Sequence, residues 1–169
     1  MDIAVRRQGQ QWVLALDGAV LRCAIGPGGV RTDKREGDGA TPAGCWPLRS
    51  VLYRPDRGPA PETALPVQPI APDDGWCDDP ADPAYNRPVT LPYAASHERL
   101  WRDDAVYDIV VILGHNDDPP VPGRGSAVFL HIARPDYAPT EGCVALARDD
   151  LLRVLARVTP DSRLCVEAP

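Results

Sequence analysis

The sequence predicts a mostly β fold with one helix near the C-terminus. Three observations predict this class. Apolar residues alternate on both sides of an Asp17-Gly18 pair, and two continuous apolar segments in the second half are typical of buried strands. One late segment spaces its apolar residues as the buried face of a helix does. A chain of 169 residues is within the usual range for one domain. We therefore expect a single domain over residues 1–169.

The N-terminal elements are predicted from this alternation. Apolar residues sit two apart on both sides of Asp17-Gly18, a dipeptide typical of a two-residue hairpin turn because both turn positions need positive φ. The strands predicted here are 2–7, 11–16 and 19–25. Residues 31–44 are polar and punctuated by glycine, so they predict a long loop.

A proline-rich segment follows a predicted strand at 46–53. Residues 54–92 hold ten prolines, a density that excludes helices. Two interpretations are open, a disordered linker or an ordered irregular excursion. Large side chains such as Trp76 and Tyr85 are costly to leave in water, which favours an ordered flap over 54–92 packed on the core.

The second half is predicted from its apolar runs. Residues 96–101 are interpreted as a short helical turn. The segments YDIVVIL (107–113) and SAVFLHI (126–132) are typical of buried strands. Residues 148–158 place their apolar side chains on one face and acidic residues in the first turn, which predicts a helix. Residues 162–167 predict a last strand.

Composition excludes several classes of protein. A net charge of −6 and a pI near 5.0 argue against a nucleic-acid surface, which needs clustered Lys and Arg. No run of about 20 apolar residues is present, so we expect no membrane segment. The first residues lack the apolar stretch of a secretory signal, which favours a cytoplasmic location, or a periplasmic one if a signal segment was removed.

The chain has five cysteines, which are irregularly spaced and include no CxxC pair. This pattern is a poor match to zinc or thioredoxin-like sites, so we expect no metal and no cofactor. The odd number and the expected location indicate a reduced protein with free thiols, in which Cys165 is a core residue of the last strand.

One histidine and one cysteine suggest chemistry. His131 ends a predicted buried strand, and Cys143 follows twelve residues later after Gly142. An imidazole beside a thiol can accept its proton and leave a nucleophilic thiolate, and a glycine lets backbone N–H groups point at an oxyanion. The alternative is that a buried Cys is a small hydrophobe and a strand His a satisfied core residue. Spacing alone leaves both open.

Two motifs in order resemble a known family. TEGCV (140–144) resembles the [S/T]-x-G-C-[V/I] signature of L,D-transpeptidase (YkuD-like) catalytic domains, whose histidine lies upstream. KREGDGATPAG (34–44) resembles that family's K-x-G-D-x-x-T-P-x-G loop. The resemblance covers nearly all of residues 1–167 and implies a β-sandwich or barrel.

The resemblance also implies a mechanism and a substrate. Cys143 corresponds to the nucleophile and His131 to the base, its ring oriented by a backbone carbonyl, while backbone N–H groups of Gly142 and Cys143 form the oxyanion hole. Family members attack the carbonyl of an L-configured residue, usually meso-diaminopimelate, in a peptidoglycan stem tetrapeptide and release D-Ala. Water as acceptor gives an L,D-carboxypeptidase, and an amine gives a cross-link.

The sequence departs from the family pattern near both residues. Ile132 stands where glycine often follows the histidine, Ala145 stands where arginine often follows the cysteine, and the loop between them is short. Arg134 or Arg124 is a candidate replacement for the missing cation.

The remaining candidates for substrate binding are Thr140, His115, Tyr85 and Asn86. Thr140 is interpreted either as orienting the cysteine loop or as capping a turn, and His115 either as lining the cleft or as lying in a surface loop. The aspartates of the flap are interpreted either as a solvated charge run or as recognising the ammonium of diaminopimelate. They are Asp73, Asp74, Asp78, Asp79 and Asp82.

Three functions are compatible with these residues. The first is a cytoplasmic L,D-carboxypeptidase that trims soluble muropeptides in murein recycling, favoured by the lack of a visible signal segment and of a wall-binding repeat. The second is a periplasmic L,D-transpeptidase that cross-links peptidoglycan. The third is a non-catalytic peptidoglycan-binding domain, which the His131 and Cys143 pair disfavours.

Overall fold

Most of the chain forms short strands. The computed structural model describes residues 1–169. The strands are β1 (Asp2–Gln8), β2 (Gln11–Leu16), β3 (Ala19–Ala24), β4 (Val30–Arg31), β5 (Thr41–Pro42), β6 (Gly44–Tyr53), β7 (Val67–Pro69), β8 (Asp74–Cys77), β9 (Pro88–Thr90), β10 (His97–Arg99), β11 (Ile109–Leu113), β12 (Phe129–Ile132), β13 (Val144–Leu146) and β14 (Arg163–Val166). A 3-10 turn covers Pro135–Tyr137, and the one α-helix is α1 (Arg148–Leu155). The mostly β prediction with a C-terminal helix is confirmed.

Eight strands close into a barrel. The order is β11-β12-β13-β3-β2-β1-β14-β6, and β6 pairs back with β11. The ten-residue β6 pairs with β14 through its first half and with β11 through its second, while β7 lies parallel along its end. Neighbours are antiparallel except β1 with β14, β12 with β13, and β6 with β7.

The predicted hairpin forms as the alternation requires. Asp17 and Gly18 both have positive φ, at 48° and 81°, and Leu16 faces Ala19 across the turn. Alternate residues of these strands point inward, so Val5 and Leu14 are fully buried. They belong to a core of 25 buried apolar residues that also takes the inner face of α1.

The proline-rich segment is ordered and carries a second sheet. Strands β10, β8 and β9 form a three-stranded antiparallel sheet, and Trp76, Cys77 and Tyr85 are buried. The predicted helical turn at 96–101 is wrong, because β10 pairs with β8 in this region. The predicted strand at 126–132 begins later, at Phe129, and the predicted helix ends earlier, at Leu155.

The prediction of five free thiols is also wrong. Cys45 on β6 lies opposite Cys165 on β14, and a disulfide joins them across the two strands. Cys23, Cys77 and Cys143 remain free and buried. No helix in the structure combines the length and the apolar character that crossing a bilayer demands.

Gly26 lies where the loop after β3 approaches two other loops. A Cβ at this position would lie 2.0 Å from the Gly39 carbonyl oxygen and 3.0 Å from the Gly142 Cα. Both are backbone atoms, so neither can swing aside. The predicted long loop over 31–44 is therefore held against residues 26 and 142 by close backbone contact. Within it, Arg31 at the end of β4 pairs with Pro42 of β5, and Gly44 at the start of β6 pairs with Val166.

We expect Gly26→Ala to lower the free energy of unfolding by about 1–3 kcal/mol, the usual cost of forcing extra atoms into packed structure. Gly58→Ala is the matched control, because its Cβ would meet only the movable guanidinium of Arg148 at 3.2 Å. Thermal or urea unfolding measures both. Equal stability of the two variants would contradict the close approach at residue 26.

Candidate active site

The parallel pairing of β12 with β13 brings His131 and Cys143 together. Leu130 lies opposite Val144 in this register, so Cys143, one residue earlier, lies beside Phe129. The Phe129 N–H donates to the Cys143 sulfur at 3.4 Å. Phe129 and His131 are two apart on the strand, so their side chains lie on one face.

The His131 ring is held in one orientation. Its Nδ1 lies 2.9 Å from the carbonyl oxygen of Ile132, which makes Nδ1 the protonated nitrogen and leaves Nε2 with its lone pair. Tyr107 packs its ring edge-on at 5.3 Å between centroids. Burial lowers the pKa of His131 to about 4, so the imidazole is neutral at physiological pH. The Ile132 that replaces the family glycine thus supplies the orienting carbonyl.

The Cys143 thiol lies between a donor and an acceptor. Its S–H donates to the Ala127 carbonyl at 3.2 Å, and its sulfur accepts from the Phe129 N–H. Burial, and next the negative charge of Glu98, raise the pKa of the thiol to about 12. No hydrogen bond joins the sulfur to His131. The resting pair is therefore a neutral thiol and a neutral imidazole.

Thr140 organises the turn that carries the predicted nucleophile, Cys143. Its hydroxyl accepts the Gly142 N–H at 3.1 Å and donates to the Cys143 carbonyl at 2.6 Å. The Gly142 N–H, one of the two predicted oxyanion donors, is thereby occupied. The Cys143 N–H has no partner, so it is the predicted donor that remains available. Gly142 has φ +133°, and a Cβ there would lie 2.8 Å from the Ala40 carbonyl oxygen.

One cavity of about 460 Å³ joins the two predicted catalytic residues. Both His131 and Cys143 line it, at 5% and 7% exposure. Its charged lining includes four acidic side chains and three basic ones. The acidic ones are Glu36, Asp78, Glu98 and Glu141, and the basic ones are Lys34, Arg102 and Arg134.

Glu98 and Tyr107 are cavity residues that the sequence analysis does not single out. The Tyr107 hydroxyl donates to the Glu98 carboxyl, and Tyr107 also contacts His131. Burial raises the pKa of Glu98 to about 7. No sequence pattern predicts the contact between Glu98 and Tyr107. Glu98 lies in the segment predicted to form a helical turn, and Tyr107 is the first residue of an apolar segment predicted to be a strand.

The predicted substrate-binding residues separate into two groups. Thr140 and Arg134 line the cavity. The other four lie outside it: Arg124 is exposed, and His115, Tyr85 and Asn86 are buried in the protein.

Each buried member of the second group has protein partners. The Tyr85 hydroxyl donates to Glu36 at 2.5 Å and accepts the Gly125 N–H at 3.0 Å. His115 packs edge-on against Trp46, and burial lowers its pKa to about 4. Of the two arginines considered as replacements for the family cation, Arg134 reaches the cavity and Arg124 does not. Ala145 itself is 1% exposed within β13.

Most flap aspartates make local structural bonds. Asp74, Asp79 and Asp82 each accept a backbone N–H two or three residues away. Asp78 is the member that lines the cavity, and its Oδ1 is buried without a partner. The interpretation as a solvated charge run therefore does not describe Asp78.

The chain is similar to a known protein family. A family model, the YkuD L,D-transpeptidase catalytic domain, matches residues 2–166. No curated protein matches the chain. A solved structure, the helical cell shape determining protein Pgp2 from Campylobacter jejuni, is similar with a TM-score of 0.46 and 14% identity. The match covers 99% of this chain and 48% of that one, so this chain spans about half the length of its structural neighbour. By the family match across almost its whole length, the chain belongs to the YkuD family of L,D-transpeptidase catalytic domains.

Proposed function

We propose that the protein is an L,D-carboxypeptidase, which cleaves the bond between diaminopimelate and D-Ala in peptidoglycan stem tetrapeptides with water as acceptor. The observation that carries this proposal is the cavity in which Cys143 and the unprotonated Nε2 of His131 meet. A volume of about 460 Å³ fits a short peptide end, within the range usual for small-ligand sites.

The first half of the proposed reaction forms a thioester. The thiol proton leaves the Ala127 carbonyl and moves to Nε2 of His131, while the thiolate attacks the carbonyl carbon of the L-residue. The developing oxyanion accepts the free N–H of Cys143. The C–N bond then breaks, and the imidazolium gives its proton to the departing D-Ala nitrogen.

The second half releases the shortened peptide. A water molecule gives a proton to Nε2 and its oxygen attacks the thioester carbon. The C–S bond breaks, and the imidazolium returns its proton to the sulfur. The Phe129 N–H faces the sulfur throughout and favours the thiolate form each time it appears.

L,D-transpeptidation is the second candidate, and the Cys45–Cys165 disulfide favours it. Disulfides persist in oxidising compartments, where an enzyme meets polymerised wall. The carboxypeptidase candidate goes with a cytoplasmic location and soluble muropeptides, and the transpeptidase candidate with a periplasmic one. The non-catalytic candidate has less support, because a binding domain has no need of a buried thiol beside an oriented imidazole.

We expect Cys143→Ala to lower D-Ala release from a tetrapeptide substrate by about a thousandfold or more, since the variant has no nucleophile. Circular dichroism and thermal unfolding should show a fold close to the wild type. Cys23→Ala is the matched control, because Cys23 is equally buried but lies outside the cavity. Unchanged turnover by Cys143→Ala would refute the assignment of the nucleophile.

The acceptor is decided by product analysis. With tetrapeptide alone, and again with an added amine acceptor such as a second stem peptide, we expect mass spectrometry to show tripeptide and free D-Ala only. A cross-linked product in the second reaction would replace the carboxypeptidase proposal with the transpeptidase one.

We expect alkylation of Cys143 by iodoacetamide in the free enzyme to accelerate about tenfold per pH unit between pH 7 and 10. The pKa of the thiol is about 12, so the thiolate fraction grows tenfold with each unit below that value. Mass spectrometry of the Cys143 peptide gives the rate. A flat profile between pH 7 and 10 would instead indicate a resting thiolate–imidazolium pair.

A further inference from the structure

Asn86, in the turn between β8 and β9, connects the three-stranded sheet to the loop before β12. It is 4% exposed and its side-chain amide makes four hydrogen bonds. The Oδ1 accepts the indole N–H of Trp76 at 2.9 Å and the backbone N–H of Ala127 at 3.1 Å. The Nδ2 donates to the carbonyls of His115 and Asn116 at 3.1 and 2.7 Å. The side chain is thus fully satisfied by protein and faces no ligand.

The residue that Asn86 binds is the one that holds the thiol. The Ala127 N–H donates to the Asn86 side chain, and the Ala127 carbonyl accepts the S–H of Cys143. Its φ is +51°, a conformation that a residue with a side chain adopts only when its surroundings impose it. The N–H and the carbonyl of Ala127 belong to two successive peptide groups that meet at its Cα. Because Asn86 holds the first group and φ is +51°, the directions in which the carbonyl of the second group can point are limited.

Asn86 also supports the second contact of the sulfur. Trp76, whose indole binds Asn86, packs edge-on against Phe129 with 5.2 Å between ring centroids. Phe129 supplies the backbone N–H that faces the sulfur. Of the two residues that hydrogen-bond to the sulfur, Ala127 is therefore bound by Asn86 directly, and Phe129 packs against Trp76, which Asn86 binds.

We propose that Asn86 is a positioning residue for the nucleophile. It acts by holding the Ala127 N–H, and through it the backbone conformation of Ala127, so that the carbonyl of this residue accepts the Cys143 S–H. This inference rests on the proposed nucleophilic role of Cys143. The three-stranded sheet of β8, β9 and β10 would then contribute to the reaction as well as covering the core. It would determine the position of the thiol proton before that proton moves to His131.

The charged and titratable groups around the thiol come from several elements. They are Glu98 on β10, Tyr107 before β11, His131 on β12, Glu141 beside Cys143 and Lys34 in the loop after β4. None of them hydrogen-bonds to the Asn86 side chain, so we expect a change at Asn86 to reach the thiol through Ala127 and Phe129.

The test compares Asn86→Ala with Asn86→Asp. Asparagine and aspartate both offer an oxygen to the N–H groups of Trp76 and Ala127, whereas aspartate loses the two bonds to carbonyls 115 and 116. Both variants should therefore unfold at lower temperature than the wild type. Only Asn86→Ala should free the Ala127 carbonyl from the thiol. Because that hydrogen bond favours the protonated sulfur, its loss should raise the iodoacetamide rate of Cys143 at pH 8 about tenfold.

The outcomes separate positioning from general loosening. A faster rate in Asn86→Ala with a near wild-type rate in Asn86→Asp supports the proposal. Equal rates in all three proteins, or equal acceleration in both variants, overturns it. In turnover assays, Asn86→Ala should lower kcat and leave KM unchanged, since Asn86 does not line the cavity.

Two features keep the test decisive. If both variants fail to fold, hydrogen exchange of the wild-type Ala127 amide replaces them: slow exchange supports the bond to Asn86, and exchange as fast as an exposed amide overturns it. The alkylation assay uses no peptide. An enzyme with no activity on tetrapeptides but with the expected alkylation pattern would therefore refute the proposed function and leave this inference standing.

Discussion

The parallel contact between β12 and β13 places the two proposed reacting groups. A parallel pair requires the chain to leave the end of one strand and return to the beginning of the next. The return segment is 133–143, and it delivers Cys143 beside the start of β12 while His131 stands two residues further along the same strand. Strand register, rather than any direct bond between the two side chains, thus determines that imidazole and thiol share a cavity.

The same barrel wall keeps the pair uncharged until a substrate arrives. Burial disfavours both the thiolate and the imidazolium, so each group rests in its neutral form. Each also has a backbone partner suited to that form, the Ala127 carbonyl for the thiol and the Ile132 carbonyl for the imidazole N–H. In the proposed reaction, proton transfer therefore depends on a substrate that displaces these neutral arrangements, and the Phe129 N–H then stabilises the charge on sulfur.

Local patterns allowed part of this to be predicted from the sequence. The hairpin at Asp17-Gly18, the buried strands and the amphipathic helix are local in sequence, and the two motifs identified the family. The sequence predicts a helical turn where β10 lies. The prediction is wrong because the conformation of β10 depends on its pairing with β8, some twenty residues earlier. The Cys45–Cys165 bond depends on β6 meeting β14, and the Tyr107–Glu98 contact on how the inserted sheet packs. Such contacts between distant segments leave no mark in local composition.

The cross-strand disulfide has a consequence for how the protein responds to its surroundings. It joins residues 120 apart in sequence, and a bridge of that span acts mainly by restricting the unfolded chain. The two strands it links are already aligned by their own backbone pairing. Reduction would therefore lower the free energy of unfolding of the barrel and leave the pairing of β6 with β14 as it is. The thiol–disulfide balance of the surroundings would thus change the stability of the folded protein without changing the cavity that His131 and Cys143 line.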